Sequence, residues 1–496
     1  MVNFKKMLLS SAAGGDSYWM ASFHYFGENH YGGNVQEVDG QVVAGGNFNN
    51  RNYVASLDAQ TGDCNFTFAT KGRYEFQSAE ADLGYAPPQS ALYDPVNDVY
   101  AISGFYDGST TGTNISGETV QMVIYDRNVS TSASQLNRTW GKNYSQGGAT
   151  ADSFVFDSAG DLITGGYSRY GGGDVSFAIL YDKSDTGYGA AYTPTKSIYL
   201  ANSTTAFSCR HCFVYLNSSE ELIMVGNHNK PGAGYLQFGV AKISGASWNT
   251  LDFSKGYTYG NGSDTVYAVS YNKTLDHVAI LHQIDVDGSY SGVTLVDCSN
   301  GSVTNSFRIN NVGGSGLVLG RVIALDSQWN VYVGWQNINA GSLTTNEHPF
   351  MKINNANNTS PSMEWLHSFK NAVTGGTVLE YCHINENDTP ILQFTSRNNG
   401  SGTNSASYVM KMPPDGSAAS TSGTLYFLTR VYDKTSSAAG SSVSFTNKSS
   451  SLTTATGSVS LNSNYPDSLS FSNSSGIGEL SDYHSSNGNS YETPIT

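Results

Sequence analysis

The chain has 496 residues, of which 13% are charged and 39% hydrophobic, with 54 Gly, 32 Tyr and a formal net charge of −15. Ser, Thr and Asn fill most of the polar remainder, which is poor material for long helices and suits short strands joined by turns. No Lys/Arg cluster interrupts the negative balance and no apolar run approaches the roughly 18–20 residues of a membrane span. These features exclude a phosphate-binding surface and a membrane-spanning helix as readings of this sequence.

Residues 1–17 read as an N-terminal arm or anchor. Lys5 and Lys6 could form the basic end of a secretory signal, but the apolar stretch Met7–Leu9 is shorter than the about 7–15 residues such a signal needs. From residue 18 to 432 one motif recurs: an apolar residue, Asp or Asn, a short turn, then a β-rich run often ending in Gly. The copies open at Val38-Asp39-Gly40, Tyr93-Asp94, Phe156-Asp157, Leu216-Asn217, Tyr271-Asn272, Leu325-Asp326 and Ile384-Asn385. The anchors are spaced by 55, 63, 60, 55, 54 and 59 residues, a period that belongs to propeller blades rather than to shorter solenoid repeats. The chemistry is local: Asp or Asn bonds its own backbone in a tight turn, Gly takes positive φ, and β-branched residues enter a strand.

Each copy continues with a third strand ending near Asp or a cation-plus-apolar pair, as in Tyr53–Asp58, Gly239–Ile243, Phe350–Ile353 and Tyr408–Met412. A fourth, outer strand is often aromatic, as at Phe66 and Phe68, Trp140, Phe307 and Met363–Phe369. The expected fold is therefore all-β: a seven-bladed β-propeller of four-stranded antiparallel blades, with the first inner strand near Asn34–Val38. Tyr18–Phe23 reads like an outer strand with no inner strands before it, so it is expected to complete the seventh blade by pairing with 408–412. Gly423–Thr429 is the competing segment for that place. From about 433 to 496 a low-complexity Ser/Thr-rich tail follows, partly extended, with short alternating runs at Ser442–Phe445, Ser458–Leu461 and Ser468–Phe471.

The repeat, clearest in Phe156-Asp157-Ser-Ala-Gly160-Asp161-Leu-Ile-Thr-Gly165-Gly166, resembles the bacterial β-propeller repeat often called SBBP. The opening Asn3–Gly15, with propeller repeats and a Ser/Thr tail behind it, resembles tail-associated or structural proteins of marine bacteriophages. Leu57-Asp58-Ala-Gln-Thr61-Gly62 is similar to the repeat of quinoprotein propellers, with a weak echo at Val296–Gly301. A turn between third and fourth strands accounts for both, so no quinone is inferred.

No catalytic or metal-ligating set emerges. The sequence lacks a G-x-S-x-G elbow, a phosphate loop and an H-E-x-x-H pair, and Cys209-Arg-His-Cys212 has no second pair at zinc spacing. The repeated Asp39, Asp94, Asp157 and Asp326 read as turn residues. Long connections between second and third strands, including Phe105–Glu118 and Tyr167–Asp174, are rich in Tyr, Gly, Asn and Ser, the mixture used by binding loops. Tyr25, Tyr31, Tyr106, Tyr167, Tyr170 and Tyr235 are the candidate binding residues. No cofactor is expected.

The leading expectation is a non-enzymatic virion protein of the tail or another exposed part. It would sit in multiple copies among other virion proteins and meet a host surface glycan or receptor. The alternatives are a secreted or surface carbohydrate-binding propeller of a bacterium and a glycan-cleaving propeller enzyme.

Overall fold

The computed structural model describes residues 3–11, 17–24, 30–48, 51–63, 73–78, 91–96, 99–107, 118–126, 136–140, 149–170, 173–182, 196–202, 212–229, 236–259, 264–284, 290–310, 318–337, 347–371, 377–397, 405–416, 422–425, 428–433, 444–449, 453–456, 459–463 and 477–481. Two strands precede the repeats, β1 (Asn3–Ser11) and β2 (Ser17–His24). The first blade holds β3 (His30–Val38), β4 (Gln41–Phe48), β5 (Arg51–Asp58) and β6 (Arg73–Ser78). The second holds β7 (Ala91–Asp94), β8 (Val99–Asp107), β9 (Glu118–Asp126) and β10 (Leu136–Trp140). The third holds β11 (Ala149–Phe156), β12 (Leu162–Tyr170), β13 (Gly173–Tyr181) and β14 (Lys196–Asn202). The fourth holds β15 (Cys212–Leu216), β16 (Leu222–Asn229), β17 (Leu236–Ser244) and β18 (Thr250–Thr258). The fifth holds β19 (Val266–Asn272), β20 (His277–Ile284), β21 (Tyr290–Asp297) and β22 (Ser302–Asn310). Then come β23 (Val318–Leu325), β24 (Val331–Asn337), β25 (Glu347–Asn354) and β26 (Ser362–Asn371), and last β27 (Thr377–Ile384), β28 (Pro390–Arg397) and β29 (Ser405–Lys411). After these lie β30 (Ser422–Leu425), β31 (Leu428–Asp433), β32 (Ser444–Asn447), β33 (Thr453–Thr456), β34 (Val459–Ser463) and β35 (Ile477–Ser481).

These strands form an all-β propeller of antiparallel blades, laid out among the described residues as seven sheets. First strands of neighbouring blades touch, as in the series β19, β23, β27, β3 and β7, and β7 and β15 both contact β11. The first strand is thus the inner one, and the fourth faces outward. Blades meet through apolar layers, one of which joins Phe213, Val225 and Val240 to Val278 and Ile280, and another Ala279, Leu281 and Leu295 to Ile323 and Val333. Second strands are covered on both faces, which is why β20 reads His-Val-Ala-Ile-Leu-His-Gln-Ile with little alternation.

The Gly that ends the repeat's β-run has a packing reason. A Cβ on Gly165 of β12 would come within 3.0 Å of Val214 on the next blade's inner strand, and one on Gly334 of β24 would meet Leu379 of β27 equally closely. Only a residue without a side chain lets the inner strand of the following blade approach this near.

The ring closes through β2, which pairs with β29 so that Trp19 lies opposite Lys411 and Ala21 opposite Val409. This is the expected N-terminal closure. The competing segment goes elsewhere: β31 pairs with β26 of the sixth blade. Two outer features differ from expectation. In the first blade the fourth strand is Arg73–Ser78, whereas Phe66 and Phe68 lie outside the described residues. The N-terminal arm is itself a strand, β1, laid on β2 as a fifth strand.

The tail, expected to be partly extended, supplies short strands among the described residues. Beyond β31 it adds β32 to β22 of the fifth blade, β33 to β18 of the fourth, β34 to β14 of the third and β35 to β6 of the first. It therefore runs round the rim in the order opposite to the blades, antiparallel to each outer strand. Among the described residues five sheets hold five or six strands in consequence, the sheet of β27–β29 reaches five through β2 and β1, and the sheet of β7–β10 holds four. Residues 468–471, the third alternating run, lie outside the described residues.

Candidate functional site

The anchors build the face on which the site lies. Asn217 Oδ1 accepts from the amides of Ser219 and Glu221 at 2.9 Å each. Asp326 Oδ1 accepts from Gln328 at 2.9 Å and Asn330 at 2.8 Å, and Asn385 Oδ1 from Asn387 at 3.0 Å and Thr389 at 2.9 Å. Asp94, Asp157 and Asn272 cap their turns in the same way, while Asp39 and Gly40 form a two-residue turn with φ of 50° and 70°. The repeated acids are turn residues, as their sequence context indicates. Three residues beyond some anchors the backbone turns left-handed, at Glu220 and Asp388. From there the carboxylates reach the preceding blade: Glu220 accepts from Ser158 N at 2.6 Å, and Asp388 from Ser327 N at 2.8 Å.

Inner strands of four consecutive blades, β15, β19, β23 and β27, converge beside these turns on a cavity of about 330 Å3. Its wall includes Tyr215, Ser270, Tyr271, Tyr381 and His383, with Lys273 and Glu386 exposed at its rim. The Tyr215 and Tyr271 rings are 5.5 Å apart. Tyr215 Oη donates to Val269 O at 3.0 Å, and Tyr271 Oη to Asp276 Oδ1 at 2.8 Å. Burial pushes the Tyr381 phenol up to about 12 and the His383 imidazole down to about 4, so both are neutral at pH 7. The backbone of Glu37 beside His383 partly opposes this lowering, and the neutral imidazole keeps one ring nitrogen as an acceptor. By exposure Tyr381 and His383 are half-buried; they border the cavity yet are ringed by protein.

Behind this wall lies the closure. Glu37 accepts from Asn385 Nδ2 at 3.1 Å and pairs with Lys411 Nζ at 3.1 Å. Lys411 and the Trp19 indole both donate to Ala59 O, at 3.3 and 3.1 Å. The cation-plus-apolar ending of third strands thus has a structural job: Lys242 pairs with Glu221 at 2.7 Å and Lys352 with Glu364 at 2.8 Å.

Two other clusters contain catalytic residue types without a catalytic arrangement. A cavity of about 320 Å3 between the third and fourth blades is bordered by Asp157, Glu220, Glu221 and Lys196. Asp157 and Glu220 serve the turns, however, and Glu221 is held below the usual carboxylate range by bonds from Lys242 and Asn217. His282, Thr294, Ser306 and Asp264 are buried together. His282 Nδ1 donates to Gln283 O at 3.0 Å and Nε2 accepts from Thr294 at 2.9 Å. Asp264 instead accepts from the Tyr259 amide at 2.8 Å, and Tyr259 bonds Ser306. This is no Ser-His-Asp relay.

Burial lowers His282 to about 4 as well. Both histidines bind a proton more weakly folded than unfolded, so between about pH 6.5 and pH 4 the unfolded chain holds more protons and stability falls with pH. Denaturant midpoints measured from pH 7 to pH 4.5 should decrease. His282→Gln should flatten that slope, removing up to about 3 kcal/mol of pH-dependent stability.

Four of the six tyrosines chosen from sequence lie in described strands. Tyr31 is the second residue of β3, in register with Asn47, Tyr106 sits in β8 in register with Thr119, and Tyr167 and Tyr170 of β12 are in register with Ser176 and Gly173. Tyr25 and Tyr235 lie outside the described residues. The expected long loop Tyr167–Asp174 is instead a continuous hairpin paired as far as Tyr170 and Gly173. Among the described residues no group of His, Cys, Asp and Glu could hold a metal ion, and no helix is long and apolar enough to cross a membrane. Cys212, Cys298 and Cys382 are buried thiols, and Cys209 lies outside the described residues.

No family model and no curated protein matches the chain. Among solved structures it is similar to the NanB sialidase of Streptococcus pneumoniae, at 8% identity and TM-score 0.38, covering 81% of this chain and 84% of that one. It is similar to a protein of unknown function from Dyadobacter fermentans at 8% identity and TM-score 0.37, over 65% of this chain and 94% of that one. It also resembles the Cps50 (Swd1) β-propeller domain of Myceliophteria thermophila at 11% identity and TM-score 0.31, over 63% of this chain and 97% of that domain.

Proposed function

We propose that this chain is a non-enzymatic structural protein of a virus particle, on the tail or another exposed part. In this reading it stands in multiple copies among other virion proteins and displays the propeller for assembly or for attachment to a host surface glycan or receptor. The observation that carries the reading is the belted rim. Open outer strands offer unpaired N–H and C=O groups to any neighbour. Here segments before and after the repeats lie on the outer strands of six sheets among the described residues, and at five of them the new edge is a strand of only four or five residues, a short edge that offers neighbouring copies little to pair with. The likeness of the N-terminal string and overall layout to bacteriophage structural proteins supports the same reading. A net charge of −15 disfavours nucleic acid and anionic membrane as partners.

A second reading, a carbohydrate-binding propeller of a bacterial surface, draws on the tyrosine-walled cavity. The glycan-cleaving reading is weaker, because Glu386 is the sole carboxylate among the described residues bordering that cavity, and retaining and inverting chemistry alike call for a pair.

Peptide mass spectrometry and antibody labelling of purified particles separate these readings. The proposal expects the chain in stoichiometric amounts on intact particles. Its absence from particles, with recovery from a bacterial surface or medium, would overturn the proposal in favour of the second reading.

A further inference from the structure

The geometry points to the cavity walled by Tyr215, Tyr271, Tyr381 and His383 as a binding site for a small neutral polyhydroxyl ligand, such as one sugar unit of a glycan. This deepens the attachment reading and rests on it only for the source of the ligand.

The argument is a count of donors and acceptors. Tyr215 and Tyr271 spend their hydroxyl protons on Val269 O and Asp276 Oδ1, so each phenol oxygen has lone pairs but no free proton for a ligand. His383 is held neutral by burial, and a neutral imidazole keeps one ring nitrogen as an acceptor. Asn272 and Asn385 are occupied by their turns and by Leu325 O and Glu37. Ser270 accepts from Leu325 N at 3.1 Å, which makes its hydroxyl proton the wall's counter-example, a donor. Among these counted groups the interior is mostly acceptor, uncharged and partly aromatic, and the Tyr381 ring borders it as well. A ligand must bring several hydroxyl protons to it.

The same count excludes the charged alternatives. An anionic sugar would set its carboxylate against acceptors in a chain of charge −15, where nothing inside supplies a compensating donor pair. An organic ammonium would lose its hydration without a carboxylate in the interior to replace it, and the opposite charges of Lys273 and Glu386 at the rim favour neither sign. At about 330 Å3 the cavity lies at the small end of ligand pockets, a size for one ring rather than an extended chain.

The test uses the full-length protein labelled with 3-fluorotyrosine, with signals assigned by single Tyr→Phe variants. It is titrated with galactose, glucose, mannose and N-acetylglucosamine, and separately with N-acetylneuraminic acid and choline. We expect at least one neutral sugar to shift the Tyr215, Tyr271 or Tyr381 signals. Tyr271→Phe and His383→Gln should each weaken that binding about three- to tenfold, the scale of one lost hydrogen bond. Unlabelled His383→Gln read by calorimetry keeps the test valid should a tyrosine variant fold poorly. Preference for N-acetylneuraminic acid or choline, shifts confined to tyrosines outside the cavity, or no binding of any neutral sugar would overturn the inference. None of these results bears on whether the chain sits in particles, so the two readings fail separately.

Discussion

Trp19→Ala is expected to destabilise the propeller by about 3–5 kcal/mol, the range for removing a large aromatic side chain from a packed core. Trp19 is fully buried, packs among Ala21, Val42, Ala55, Leu57, Ile391 and Val409, and donates its indole N–H to Ala59 O. It also fills the space beside Gly62, where φ is +71° and any Cβ would collide with the indole. The residue is the contact through which β2 joins the first and last blades, so its loss removes both a core side chain and the latch of the ring. Because a chain of this size can unfold irreversibly, the unfolding rate in denaturant is the appropriate readout. Trp19→Ala should unfold faster. A rate equal to wild type would mean that closure does not depend on this side chain.

The second large effect is expected at Glu37. Lys411 is fully buried and its ammonium pairs with Glu37, whose side chain is 15% exposed. Glu37→Ala leaves that ammonium with only the carbonyl of Ala59, and breaking one side of a buried pair costs about 3–5 kcal/mol. Glu37 also receives Asn385 Nδ2, which adds to the loss. The double variant Glu37→Ala with Lys411→Met removes the orphaned charge and should recover a large part of the stability. Equal destabilisation in the single and double variants would show that desolvation of Lys411 is not the cause.

How much of this was legible in the sequence differs by element. The anchor turns were, because an Asx turn is a local event: Asp157, Asn217 and Asp326 bond amides within four residues of themselves. The closure was legible too, since Tyr18–Phe23 has the composition of an outer strand and no inner strands of its own. The fourth strand of the first blade was not. Arg73-Tyr-Glu-Phe-Gln-Ser78 stands nearly as well for a loop, and the aromatic pair Phe66 and Phe68 competes with it. The tail's course is illegible for a different reason. Thr453-Thr-Ala-Thr456 carries no pattern of its own, and its strand state comes from the open edge of β18 on which it lies. The cavity escapes because it is assembled from Tyr215, Tyr271 and Tyr381, residues brought together only by the convergence of inner strands. The sole signal, an aromatic or His within four residues before an anchor, is too common in a chain with 32 Tyr to single out a site.

The central claim is that one ring is closed by β2 and belted by the tail, and hydrogen–deuterium exchange on the full chain tests it most directly. Amides of Trp19–Phe23 should exchange as slowly as those of Ser407–Lys411, their partners. Amides of β34 should be protected together with the β14 edge that they cover. Exchange of both segments at the rate of unstructured chain, with the blades still protected, would contradict the account.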